Sequence, residues 1–228
     1  MRAIELILRM HVKGAQMKTS GGALALHMVT REMATPKENA EIAKLLLEVY
    51  PQGAMVRNAE GWLAIHLVMR HMEGPFALQI AQTLLEAAPE SARERNPEGW
   101  LPLQLAARHQ GGHEGAEVIR MLMGLYPEAI KSLNREDYLP IHLACSNELV
   151  TREMIEVLVS AFPGALLPCP PGITVANYKP IMPCAESWRL IPDDALEFMR
   201  RASQGRRMIG AAVADPRVLL PAARTLQC

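Results

Sequence analysis

The sequence is poor in aromatic residues, which make up 4% of its 228 positions. It has four cysteines and no surplus of charge, with Lys+Arg and Asp+Glu at 24 each. Each shortage removes a class. A neutral chain is not built as a dedicated nucleic-acid binder, whose affinity comes largely from neutralising phosphates. Cys145, Cys169, Cys184 and Cys228 show no C-x-x-C spacing and no small disulfide framework. They read as reduced thiols of an intracellular, cytoplasmic protein, with a Cys169–Cys184 bridge as the alternative. The longest uncharged run, Val157 to Tyr178, contains Pro163, Pro168, Pro170 and Pro171. Prolines break a continuous helix, so no membrane span is expected. Met1 to Met10 carries Glu5 and no small-residue cleavage site follows, so it reads as an amphipathic helix rather than a signal peptide. No phosphate loop, dinucleotide fingerprint, nucleophile elbow or His-Glu-x-x-His motif is present. No enzyme activity and no cofactor are implied.

What the chain does have is apolar content of 50% and 14 methionines, which favour a helical core filled by aliphatic side chains. The length allows a sizeable core. It also has an internal repeat. Gly22-Ala23-Leu24-Ala25-Leu26-His27 is followed by Gly61-Trp62-Leu63-Ala64-Ile65-His66. Next come Gly99-Trp100-Leu101-Pro102-Leu103-Gln104 and Asp137-Tyr138-Leu139-Pro140-Ile141-His142, at spacings of 39, 38 and 38. A decayed copy, Asn177 to Cys184, lies 40 residues further on. Pro51, Pro89, Pro127 and Pro163 keep the same beat, 38, 38 and 36 apart. Asn58, Asn96 and Asn134 precede the lead residue of each motif by three.

Each unit reads as helix, link, helix, turn. Pro102, Pro140 and Pro180 suit the first turn of a short helix, where a missing N–H costs little. Glu73-Gly74-Pro75 and Gly111-Gly112-His113-Glu114-Gly115 read as links. Second helices follow, with apolar sets such as Ile42/Leu45/Leu46 and Val118/Met121/Leu122. The proline after each second helix stops it, and Asn-x-x-Gly makes the turn. One unit cannot bury its apolar faces, but stacked units can.

This pattern resembles the ankyrin repeat, so the expected fold is all-α, an ankyrin-type helix-turn-helix solenoid. The family motif T-P-L-H-x-A appears as Leu101-Pro102-Leu103-Gln104-Leu105-Ala106 and Leu139-Pro140-Ile141-His142-Leu143-Ala144, with weaker forms at 24–29 and 63–68. The period is about 38 rather than 33, with most of the excess expected between the two helices. Leu replaces the motif Thr throughout, so that hydroxyl bond is absent. A HEAT-type repeat is the other helical candidate; the Pro-Ile-His-Leu-Ala core and the Asn-x-x-Gly turn favour ankyrin. The resemblance covers residues 1–203, and 204–228 reads as a tail or cap. Ile4 to Val12 fits a second helix, so the chain starts half-way through a unit. Either that half-unit is a cap, or the chain is an ankyrin-repeat fragment of a larger enzyme or receptor. The fifth unit's second helix is expected at about Asp193 to Ala202.

The resemblance implies a protein partner docked on turn tips and the exposed face of the first helices. The matching turn positions are Ala59, Glu60, Pro97, Glu98, Arg135 and Glu136. Trp62, Trp100 and Tyr138, with Tyr178, form a row that either anchors a partner or packs on the neighbouring turn. Arg31, Arg70 and Arg108 form a second row, suited to an acidic or phosphorylated segment or simply paired with nearby Glu. His27, His66 and His142 occupy the motif position that makes structural hydrogen bonds in the family. His109, His113 and Glu114 are the weak metal candidate; no metal is expected.

Overall fold

The computed structural model describes residues 12–31, 36–166, 192–195 and 197–202. Among them there is no β-strand, only an isolated bridge between Lys18 and Leu24. The helices are α1 (Val12–Gln16), α2 (Ala25–Val29), α3 (Pro36–Val49), α4 (Ala64–His71), α5 (Gly74–Ala87), α6 (Pro102–His109), α7 (Gly112–Leu125), α8 (Pro140–Cys145) and α9 (Arg152–Ala161). Residues 193–195 and 197–202 are also helical, where the fifth unit's second helix is expected. The expected helix over Ile4 to Val12 lies almost wholly outside the described residues. So do the decayed copy, the tail from 203, and Cys169, Cys184 and Cys228.

The first helices α2, α4, α6 and α8 start behind Leu24, Leu63, Leu101 and Leu139, all in extended backbone. Leucine has no oxygen to cap a helix. Its own N–H is instead taken up by the side chain three residues on: His27 Nδ1 at 3.1 Å, His66 Nδ1 at 3.2 Å, Gln104 Oε1 at 2.9 Å and His142 Nδ1 at 3.0 Å. The leucine side chains are free to fill the core and are 0–1% exposed. Pro102 and Pro140 stand at the first helical position, as expected.

The links are shorter than the glycine pattern predicts. Only Met72 and Glu73 separate α4 from α5, and only Gln110 and Gly111 separate α6 from α7. Gly74 and Gly112, at φ +76° and +67°, turn the chain straight into the second helix. The stretch expected to be a link at 111–115 is therefore mostly the first turn of α7. Helices α3, α5 and α7 run 14 residues each, so the second helix carries the length expected between the helices.

Pro51, Pro89, Pro127 and Pro163 end the second helices. They hold Tyr50, Ala88, Tyr126 and Phe162 out of the helical region, and each proline opens a short 3-10 turn. The helices pack in two rows. In one, α2, α4, α6 and α8 are successive neighbours; in the other, α3, α5, α7 and α9 are. Ile65, Leu103, Ile80, Leu84, Ile119 and Leu122 are fully buried between the rows. Burying such a side chain contributes about 1.5–3 kcal/mol, and stacking of adjoining units adds to that burial. Among the described residues no helix is long and apolar enough to cross a membrane.

Candidate functional site

The turns between units hold the candidate surface. Asn58 N–H donates to the Trp62 carbonyl (3.0 Å), and the Asn58 Oδ1 accepts from Trp62 N–H (2.8 Å). Asn96 with Trp100, and Asn134 with Tyr138, repeat the arrangement. Thr19 does the same work in the first turn, with Oγ1 accepting from Ala23 N–H at 3.2 Å. Gly61, Gly99 and Asp137 take positive φ in these turns. The glycines have a second reason to be there. A Cβ on Gly61 would lie 2.6 Å from Pro97, and one on Gly99 2.8 Å from Arg135. The first tip residue of each turn thus packs over the glycine of the turn before it. Pro97 and Arg135 interlock the stack, while Glu60, Glu98 and Glu136 are exposed beside them.

Three sets of polar contacts tie unit to unit. His27 Nε2 reaches the Val56 carbonyl (3.0 Å), His66 Nε2 that of Glu94 (2.9 Å), and Gln104 Nε2 that of Ser132 (2.8 Å). Each of these side chains also accepts its leucine N–H, so each must offer one acceptor and one donor. Gln104 can do this only as a neutral amide, and the histidines match it only as the neutral Nε2–H tautomer. Burial pushes the His66 imidazole down to about 4, and it pushes His27 down as well. At the turns, Arg57 Nη1 donates to the carbonyls of Gly61 (2.8 Å) and Arg95 (3.1 Å), while Nη2 pairs with Glu94 (2.6 Å). Arg95 bridges Gly99 and Leu133 in the same way. At the far end, buried Gln110 donates to the carbonyls of Met72 (2.6 Å) and Met69 (3.0 Å), closing the C-terminus of α4. Asn147 does this for Ala107 and Gln110. Sequence reasoning missed Arg57, Arg95, Gln110 and Asn147 because polar residues next to a helix end or turn look like ordinary loop chemistry.

The aromatic row is mostly part of the frame. Trp62 is 8% exposed and stands edge-on to His66, with centroids 6.1 Å apart. Of the two readings open for this row, the burial of Trp62 matches packing within the frame rather than a partner contact. Trp100 and Tyr138 are half-buried, and Tyr138 lies against the His142 ring at 5.8 Å.

The arginine row is a surface feature. Arg31 is exposed, and its side chain makes no hydrogen bond or ion pair among the described residues. Arg70 lies over the Trp62 ring at 5.1 Å and offers Nη1 to both carboxylate oxygens of Glu98, at 3.1 and 3.3 Å. Arg108 is half-buried and donates Nη1 to the Ser146 carbonyl.

Two histidines that the arginine row did not include complete the strip. Burial, helped by Arg70 and Arg31 and opposed by Glu60, holds His71 below the usual imidazole range. Burial, helped by Arg108, Arg70 and His71 and opposed by Glu98, pushes His109 down to about 4. The signal in the sequence is the dipeptide Arg70-His71, repeated 38 residues later as Arg108-His109. Both imidazoles are uncharged at neutral pH.

The metal candidate comes apart. His109 belongs to the basic strip. His113 pairs with Glu153 Oε2 at 3.0 Å, beside Glu117 rather than with His109 and Glu114. The Arg120 guanidinium holds both Glu117 and Glu153, where a cation would need to sit. Cys145 is buried, and desolvation pushes its thiol up to about 12, so it stays protonated and inert.

No protein-family model and no curated protein matches this chain. The function therefore rests on the site itself. The edge carries a basic strip flanked by exposed turn-tip glutamates.

Proposed function

We propose that the chain is a non-enzymatic protein–protein interaction scaffold, built as an ankyrin-type solenoid that presents a concave edge to its partner. The observation that carries this reading is a division of labour among side chains repeated at one-unit spacing. His27, His66, Gln104, Arg57, Arg95, Gln110 and Asn147 are consumed by contacts between units. Glu60, Arg70, Glu98, Arg135 and Glu136 are exposed, although Arg70 also pairs with Glu98 and Arg135 also packs over Gly99. A frame satisfied internally, with charge displayed on a rigid edge, binds by pre-organised complementarity rather than by chemistry on a substrate. A cytoplasmic location fits this reading, with Cys145 buried and unpaired.

The test is hydrogen exchange on the purified chain with a captured protein partner. Added protection is expected in residues 57–71 and 95–109, which hold the turn tips and first helices. Protection confined to α3, α5 and α7 would overturn the reading.

A further inference from the structure

We infer that the strip formed by Arg31, Arg70, His71, Arg108 and His109 is a docking groove for an extended protein segment rich in aspartate and glutamate. This deepens the scaffold reading and rests on it. The strip is a local feature and not a by-product of overall charge. Residues 189–228 carry seven Arg against four acids, so residues 1–188 are net acidic by three charges. The basic groups of the strip therefore gather on a frame that is acidic as a whole.

The strip already binds one carboxylate. Glu98 sits on Arg70 through both of its oxygens, at 3.1 and 3.3 Å, and the Trp62 ring stacked at 5.1 Å orients the guanidinium. Glu98 is in effect an internal stand-in for the ligand. On either side the capacity is unfilled. Among the described residues Arg31 has no pair, and Arg108 uses one nitrogen on the Ser146 carbonyl. Two neutral imidazoles lie among the guanidinium groups. The charges of Arg31, Arg70 and Glu60 act on His71; Arg70, Arg108, His71 and Glu98 act on His109.

Charge and spacing choose the occupant. With both histidines neutral, the strip holds three arginines, with Glu98 on Arg70 and Glu60 exposed at a turn tip. That modest surplus suits separate single carboxylates better than a phosphate dianion. Packed helices lie about 8–10 Å apart, and an extended chain advances about 3.3 Å per residue. An acidic side chain at every third residue would therefore meet successive units. Burial first, and the arginines second, keep these rings neutral; a carboxylate reaching His71 or His109 favours the charged ring, so binding takes up protons and tightens as pH falls.

The experiment uses the full chain and fluorescence anisotropy at low ionic strength. The probe is a labelled twelve-residue peptide with Glu at every third position; its controls carry Gln at those positions or the same residues with the Glu grouped. The spaced Glu peptide is expected to bind at least about tenfold more tightly than the Gln peptide. Arg31→Glu, at an exposed position, weakens binding about fivefold or more, and Glu98→Gln tightens it about two- to fivefold by releasing Arg70. Moving from pH 7.5 to 6.0 tightens the wild type about two- to fivefold, and His71→Gln/His109→Gln removes that gain. Circular dichroism at both pH values shows that each variant is folded.

Equal binding of the Glu and Gln peptides, or no response to Glu98→Gln, overturns the inference. So does tighter binding of an oligonucleotide or an anionic vesicle than of the Glu peptide. If a captured partner protects residues 57–71 and 95–109 while the Glu peptide fails to bind, the acidic occupant is wrong and the scaffold stands. If protection falls on the second helices, the scaffold reading itself is wrong.

Discussion

Two rows of polar and basic side chains run along this chain at the same one-unit spacing, and they do opposite work. His27, His66 and Gln104 lie inside, each spending its acceptor on its own helix start and its donor on the next unit. Arg31, Arg70 with His71, and Arg108 with His109 lie along the edge, where one guanidinium is unpaired among the described residues and another holds a surface glutamate. Periodicity alone does not separate architecture from surface. What separates them is whether both ends of the side chain are already committed. The glutamine at position 104 is the clue, because it keeps the donor and acceptor of a neutral histidine and discards the charge.

The largest break in this comparison is His66→Ala. It orphans the buried Leu63 N–H and Glu94 carbonyl, so a loss of about 3–4 kcal/mol is expected in urea unfolding. His66→Gln should cost less than about 1 kcal/mol, because Gln104 fills the same role one unit away. The same ring sets the pH response. Its folded-state value near 4 lies below the unfolded 6.5, so the unfolded chain binds more protons between them. Stability is complete above about pH 6.5 and falls as pH drops towards 4, by up to about 3 kcal/mol from this group. His66→Gln should flatten that slope in denaturation curves measured from pH 7 to 4.5.

Gln110→Leu sharpens the comparison at the other end of the units. It leaves the Met69 and Met72 carbonyls without their donor, and a loss of about 2–3 kcal/mol is expected by the same measurement. Gly61→Ala should cost about 1–3 kcal/mol, from a Cβ at φ +82° and from contact with Pro97. The smallest effect belongs to the surface row. Arg31→Glu should change thermal stability by no more than about 0.5 kcal/mol. A large loss there would place the arginine row with the frame.

Much of the fold was legible in advance. Pro51, Pro89, Pro127 and Pro163 punctuate the second helices because proline restricts the residue before it. Asn58, Asn96 and Asn134 mark the turns because their side chains close them locally. Thr19 was not legible in the same role, because a hydroxyl replaces the amide and breaks the visible repeat. The links were misjudged for a related reason: glycine marks both a flexible loop and a sharp left-handed turn, and only backbone angles tell them apart. The arginine row was found from its register with the motif, but its two histidines were not, since Arg-His occurs only twice. For the aromatic row the sequence leaves anchor and packing both open, and burial against His66 puts Trp62 with the packing.

The sequence by itself determined the helix pairs, their period and the stops between them. Those depend on contacts within a few residues, and such contacts repeat whenever the residues do. Only the tertiary structure decided which repeated side chains bridge units and which remain available. That choice depends on what lies one unit away, some 28 to 38 residues along the chain, where Glu94, Arg95 and Met72 offer their carbonyls and Glu98 offers its carboxylate.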